Sequence, residues 1–117
     1  MKKKNRIDEN YLERIPMRHS AITWEFDKNG MVTLAIENTG WANRIAQKLF
    51  KRPKYSYVHM DEMGTFVWPL LNGEQTITEL GKQVKEHFGD KAEPLYPRLA
   101  KYIQILDSYH FIEWKQQ

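Results

Sequence analysis

The chain holds no set of residues spaced for catalysis. Its four histidines, His19, His59, His87 and His110, are scattered without ligand spacing, and a metal site needs three or four side chains that converge. There is no cysteine, which removes thiol nucleophiles, disulfides and thiolate ligands. No phosphate loop, nucleophile elbow or metal-binding helix motif appears. Carboxylates are spread over expected outer faces, where solvated charge is the ordinary role of Asp and Glu. The expectation is no metal, no cofactor and no enzymatic activity in isolation. Binding is the chemistry that remains, and Tyr55, Ser56, Tyr57, Val58 and His59 are the run best suited to it. Aromatic and β-branched residues fit a pleated strand. As a third strand in a simple meander, this run would be a sheet edge. Its unpaired N–H and C=O groups could then take an extended peptide as one more strand, with pockets for alternate side chains giving specificity. Plain sheet packing would account for the two tyrosines equally well.

The elements that must position this run follow from the pattern. Residues 21–26 form a first strand with Ile22, Trp24 and Phe26 on one face, and Asp27-Lys28-Asn29-Gly30 is a hairpin turn. Residues 31–37 return with Val32, Leu34 and Ile36 on one face. Trp41, Ile45 and Leu49 fall four apart, which predicts a short helix over 41–52 stopped by Pro53, with Arg44, Gln47, Lys48 and Lys51 outside. That outer face is either a solvated surface or a basic docking surface for an acidic partner. After the third strand the period changes at Asp61, which can cap a helix carrying Phe66, Val67, Leu70 and Leu71. Pro69 should kink it, and Asn72-Gly73 should end it. Thr76 and Glu79 form a capping box ahead of a helix with Ile77, Leu80, Gly81, Val84 and Phe88 on its buried stripe. Gly81 predicts a close helix contact. Pro94 and Pro97 suit the first turn of a last helix with Leu95, Leu99, Tyr102, Ile103 and Leu106 as its stripe. Phe111, Ile112 and Trp114 form a short terminal strand or pack on the core.

The predicted fold is therefore α+β and winged-helix-like. A small antiparallel sheet of three strands packs on a three-helix bundle, with an extra short helix between the second and third strands. The 117 residues allow a single domain, placed at residues 21–117, behind a flexible basic segment at residues 1–20 in which Tyr11, Leu12, Ile15 and Pro16 make a pinning turn. No apolar run approaches the length of a membrane helix, and no apolar stretch follows the lysine-rich start as in a signal peptide. A cytoplasmic protein is expected. The net charge of +3 suits an acidic partner without demanding nucleic acid.

The string Met60-Asp61-x-x-Gly64-x-x-Val67-Trp68-x-Leu70-Leu71-Asn72-Gly73, then Thr76-Ile77-x-Glu79-Leu80, resembles the PqqD-like proteins. These are stand-alone recognition elements for ribosomally made, post-translationally modified peptides. The likeness runs on through a long helix into Tyr109-His110-Phe111-Ile112. It implies a non-catalytic, chaperone-like adaptor that binds the leader of a precursor peptide and presents it to a modifying enzyme, frequently a radical S-adenosylmethionine (SAM) enzyme. In that family the leader extends the sheet in a cleft between the third strand and the third core helix. Carried over, the resemblance implies peptide contacts at Tyr55, Ser56, Tyr57, Val58 and His59, and on the helix at Arg98, Lys101, Tyr102 and Ile105. Asp61, Gly64, Trp68 and Gly73 read as structural. A proline at Ser56 should spare the fold and cost binding.

The alternative is a winged-helix DNA-binding regulator. The helix over 76–88 would then enter the major groove with Lys82, Gln83, Lys85 and His87. Glu79, Glu86 and Asp90 nearby would repel phosphate, which ranks this reading second.

Overall fold

The computed structural model describes residues 9–37 and 55–116. The helix expected over 41–52 lies outside the described residues. The elements are α1 (Glu9–Leu12), β1 (Ile15–Arg18), β2 (Thr23–Phe26), β3 (Val32–Glu37), β4 (Tyr55–His59), α2 (Glu62–Val67), a 3-10 turn (Trp68–Leu70), α3 (Ile77–Phe88), a second 3-10 turn (Gly89–Ala92), α4 (Leu95–Ser108) and β5 (Ile112–Lys115). This is a mixed α+β chain with a three-stranded antiparallel sheet. It forms two compact units, Ser20–Thr65 and Met1–His19 with Phe66–Gln117.

In the first unit β3 is the central strand of the order β2-β3-β4. The hairpin is fixed by Asp27. Its Oδ1 accepts from the N–H groups of Asn29 at 2.8 Å and Met31 at 3.0 Å, and its carbonyl accepts from Gly30 at 2.9 Å. Gly30 sits at φ 79°, the left-handed region that the expected turn required of it. Val32 and Leu34 are fully buried on one face of the sheet. β4 leads directly into α2 through a cap. Asp61 Oδ1 accepts from Gly64 N–H at 2.8 Å, and Thr65 Oγ1 accepts from Val32 N–H at 3.0 Å. That second bond ties the start of α2 to the central strand.

In the second unit β1 and β5 pair antiparallel, from Ile15 opposite Lys115 to Arg18 opposite Ile112. The strand Ile15–Arg18 was not expected from the sequence, where a pinning turn stood in its place. Its other side is also occupied. Arg18 N–H donates to Leu71 O at 2.9 Å, and Gly73 N–H donates to Pro16 O at 3.3 Å. Gly73 sits at φ 80°, and a Cβ there would lie 3.1 Å from Met17 Sδ, so both conformation and space call for glycine. The helix expected to run to Asn72 is shorter. α2 ends at Val67 and the chain tightens into the 3-10 turn that contains Pro69. The Arg18 guanidinium donates to the carbonyls of Pro69 at 2.8 Å and Trp68 at 3.2 Å, so a side chain from β1 satisfies groups that the α-helix no longer does.

α3 begins as its capping box predicts. Glu79 N–H donates to Thr76 Oγ1 at 3.1 Å, and Thr76 N–H donates to Glu79 Oε1 at 2.8 Å. Gly81 is buried against α4, where a Cβ would run into the Tyr96 ring. The Tyr96 hydroxyl donates to Thr78 O at 3.1 Å and locks the crossing. Trp68, Leu71, Ile77, Leu80, Val84, Leu99 and Ile103 are fully buried, and each of the larger aliphatic side chains contributes roughly 1.5–3 kcal/mol relative to exposure. Among the described residues no helix is long and apolar enough to cross a membrane.

Candidate functional site

The five residues Tyr55 to His59 form β4, an edge of the three-stranded sheet. Which backbone groups face outward follows from the ladder. In an antiparallel pair, hydrogen-bonded and non-bonded residue pairs alternate. Met60 N–H donates to Val32 O at 2.9 Å in the register that continues β4 along β3. The bonded pairs are therefore Val58 with Leu34 and Ser56 with Ile36. On the other side of β3, Asp27 N–H donates to Met31 O at 2.7 Å, so Thr33 and Ala35 bond to β2. The two ladders agree. Tyr55, Tyr57 and His59 direct their N–H and C=O groups away from β3, to an edge with no paired strand among the described residues.

The same three residues share one face of the sheet, because side chains alternate along a strand. Tyr55 is 39 % exposed and Tyr57 61 %. Their ring centroids are 6.5 Å apart and the rings are tilted by 33°. His59 Nδ1 lies 3.0 Å from Thr33 Oγ1 on the opposite strand, the short cross-strand approach expected of a non-bonded pair. Glu37 stands opposite Tyr55. Ser56 and Val58 point to the other face, with Val58 half-buried and Ser56 exposed. Thr33 and Glu37 are neighbours of the site that the sequence reading did not name. Their roles follow only from the register.

The four helix residues carried over by resemblance lie on α4. Arg98, Lys101 and Ile105 are exposed and Tyr102 is half-buried. Ile105 is 44 % exposed and Tyr109, one turn on, is 63 % exposed and stacks on Phe111 at 5.4 Å. Leu95, Leu99, Ile103 and Leu106 occupy the buried side of the same helix, so the division between stripe and flank stands, except that Tyr102 sits at its border. Arg98 is engaged locally, its guanidinium donating to Lys91 O at 2.7 Å.

Among the described residues no three histidines or carboxylates gather to hold a metal. Asp61 and Trp68 hold the positions the sequence assigned them, a cap and a fully buried core side chain.

Residues 30–112 match the model of the family described as Coenzyme PQQ synthesis protein D (PqqD). No curated protein and no solved structure gives a significant match.

Proposed function

This chain belongs to the PqqD family, and on that premise we propose that it is a non-catalytic adaptor for a ribosomally made precursor peptide. The leader of the precursor adds to β4 as a further strand, and the adaptor presents the rest to a modifying enzyme of the radical SAM class. The observation that carries this reading is the phase of the β4 edge. Three outward pairs of backbone donors and acceptors, at Tyr55, Tyr57 and His59, are presented on an edge with no paired strand among the described residues. The exposed flank of α4, Arg98, Lys101, Tyr102 and Ile105, is proposed as a second contact surface. The winged-helix arrangement expected from the sequence is part of the same proposal, supported by the order of three strands followed by three helices.

The test is an NMR titration of the full chain with the short precursor peptide encoded beside its gene, read by amide shifts and hydrogen exchange. The expected result is new protection at the amides of Tyr55, Tyr57 and His59, while those of Ser56 and Val58, already bonded to β3, change little. Shifts confined to residues 76–88 with duplex DNA, weakening as salt rises, would replace this reading with the DNA-binding one.

A further inference from the structure

The residues whose backbone groups face the open edge are also those whose side chains stand on the exposed face. This coincidence has a consequence for the peptide. Whichever way an added strand runs, the side chains opposite Tyr55, Tyr57 and His59 project on the same face as theirs. We propose that this face is a sequence filter. The bound segment carries an aromatic or β-branched residue opposite Tyr57, a second one opposite Tyr55, and a hydrogen-bonding residue opposite His59, each separated by one position. The proposal rests on strand addition at β4 and names the class of peptide that such addition selects.

Three observations support it. Tyr55 and Tyr57 form a continuous aromatic surface, with ring centroids 6.5 Å apart, that is exposed over 39 % of Tyr55 and 61 % of Tyr57. Among the described residues no other strand supplies an aromatic partner to it, since the neighbours across β3 are Glu37 and Ala35. An aromatic side chain on one strand gains most from an aromatic or β-branched side chain directly across, and the open edge is the side on which that partner is missing. At the other end, His59 is held by Thr33 through Nδ1, which leaves Nε2 as its second polar atom. The polar end fixes the register. A shift by one residue would turn the apolar pair of the peptide to the opposite face, and a shift by two would set either an apolar residue against His59 or the hydrogen-bonding residue against Tyr57.

The experiment selects short displayed random peptides on the full chain, then measures selected peptides against the wild type and against Tyr55→Thr and Tyr57→Thr. Threonine keeps strand propensity at both sites, and unchanged thermal unfolding of the variants confirms the fold. Selected peptides should carry aromatic or β-branched residues at two positions separated by one. Each variant should weaken them about two- to five-fold, the range of one cross-strand pair, and replacing the facing peptide residue by alanine should remove that difference. Peptides that protect the amides of Tyr55, Tyr57 and His59 yet bind both variants as tightly as the wild type would overturn the filter and leave strand addition standing. Peptides that bind without perturbing β4 would overturn both.

Discussion

β4 and β5 both carry aromatic residues at the edge of a small sheet, yet they are finished in opposite ways. On β5 the exposed positions beside Trp114 are charged, Glu113 and Lys115. Trp114 itself is half-buried. The Arg14 guanidinium lies 3.9 Å from its ring centroid, and Tyr11 meets it edge-on at 5.8 Å. The partner strand β1 is occupied on both sides, by β5 and by the segment around Asn72. Charge on an edge strand and covered side chains are the ordinary means of blunting an edge. On β4 neither Tyr55 nor Tyr57 has a cation or a ring from another element over it among the described residues. Among the described residues, then, the device that blunts an edge is present at β5 and not at β4. The difference motivates the proposal that Trp114 serves stability while Tyr55 and Tyr57 serve a partner.

The sharpest way to break this contrast is with proline, which removes one N–H. At Tyr57 the lost N–H faces the open edge, so Tyr57→Pro should leave the sheet folded, as prolines on edge strands are tolerated, and should cost more than tenfold in peptide affinity, about 1.4 kcal/mol. At Ser56 the N–H is phased toward Ile36, so Ser56→Pro should destabilise the sheet by on the order of 2 kcal/mol through a lost ladder bond and an unpaired carbonyl. The sequence alone placed the diagnostic proline at Ser56. The ladder moves it by one residue. Urea unfolding together with a binding isotherm for each variant decides the matter, and two variants that behave alike would mean that the phase of β4 is not as described.

A smaller effect should separate the aromatic residues themselves. Trp114→Ala removes a half-buried ring together with its contacts to Arg14 and Tyr11, and should cost about 2 kcal/mol of stability, below the range for a fully buried tryptophan. Tyr57→Ala should change stability by no more than about 0.5 kcal/mol, as exposed positions do, while weakening the peptide. Denaturation midpoints at an unchanged slope give both numbers. A Tyr57→Ala variant as unstable as Trp114→Ala would make the tyrosine a packing residue.

Local signals were legible in the sequence where the chemistry is local. The Asp27 to Gly30 turn, the strand Tyr55–His59, the Asp61 cap, the Thr76 and Glu79 capping box and the close approach at Gly81 each depend on residues within a few positions, or on a glycine whose missing Cβ has an obvious use. What was missed is long-range. Ile15-Pro16-Met17-Arg18 is too short and too interrupted by proline to read as a strand, and its partner lies near the other end of the chain. Pro16 is accommodated because its position is not one that bonds to β5, and its carbonyl accepts from Gly73 instead. The end of α2 at Val67 was hidden for a related reason, since Arg18 satisfies the carbonyls of the 3-10 turn from that same unforeseen strand. For the candidate site, the sequence supplied the residues and their alternation. It could not supply the ladder phase, which is set jointly by Asp27 with Met31 and by Met60 with Val32.

The cluster around Trp114 also has a pH signature. Tyr11, packed against Trp114, has its pKa raised from 10.0 to about 12, first by burial and then by the nearby charge of Asp107, with Arg14 opposing. A raised pKa in the folded state means that the folded protein keeps a proton which the unfolded chain gives up at its ordinary value. This contribution to stability is complete below pH 10 and is lost as the pH rises toward 12. Tyr11→Phe has no proton to lose. Its stability should therefore fall less steeply than the wild type's across that alkaline window, while near neutral pH the two should differ only by the lost hydroxyl. Urea unfolding at a series of alkaline pH values reads the slope directly. Equal slopes for wild type and Tyr11→Phe would show that the cluster around Trp114 does not bury this hydroxyl and that the blunting of β5 has no electrostatic component.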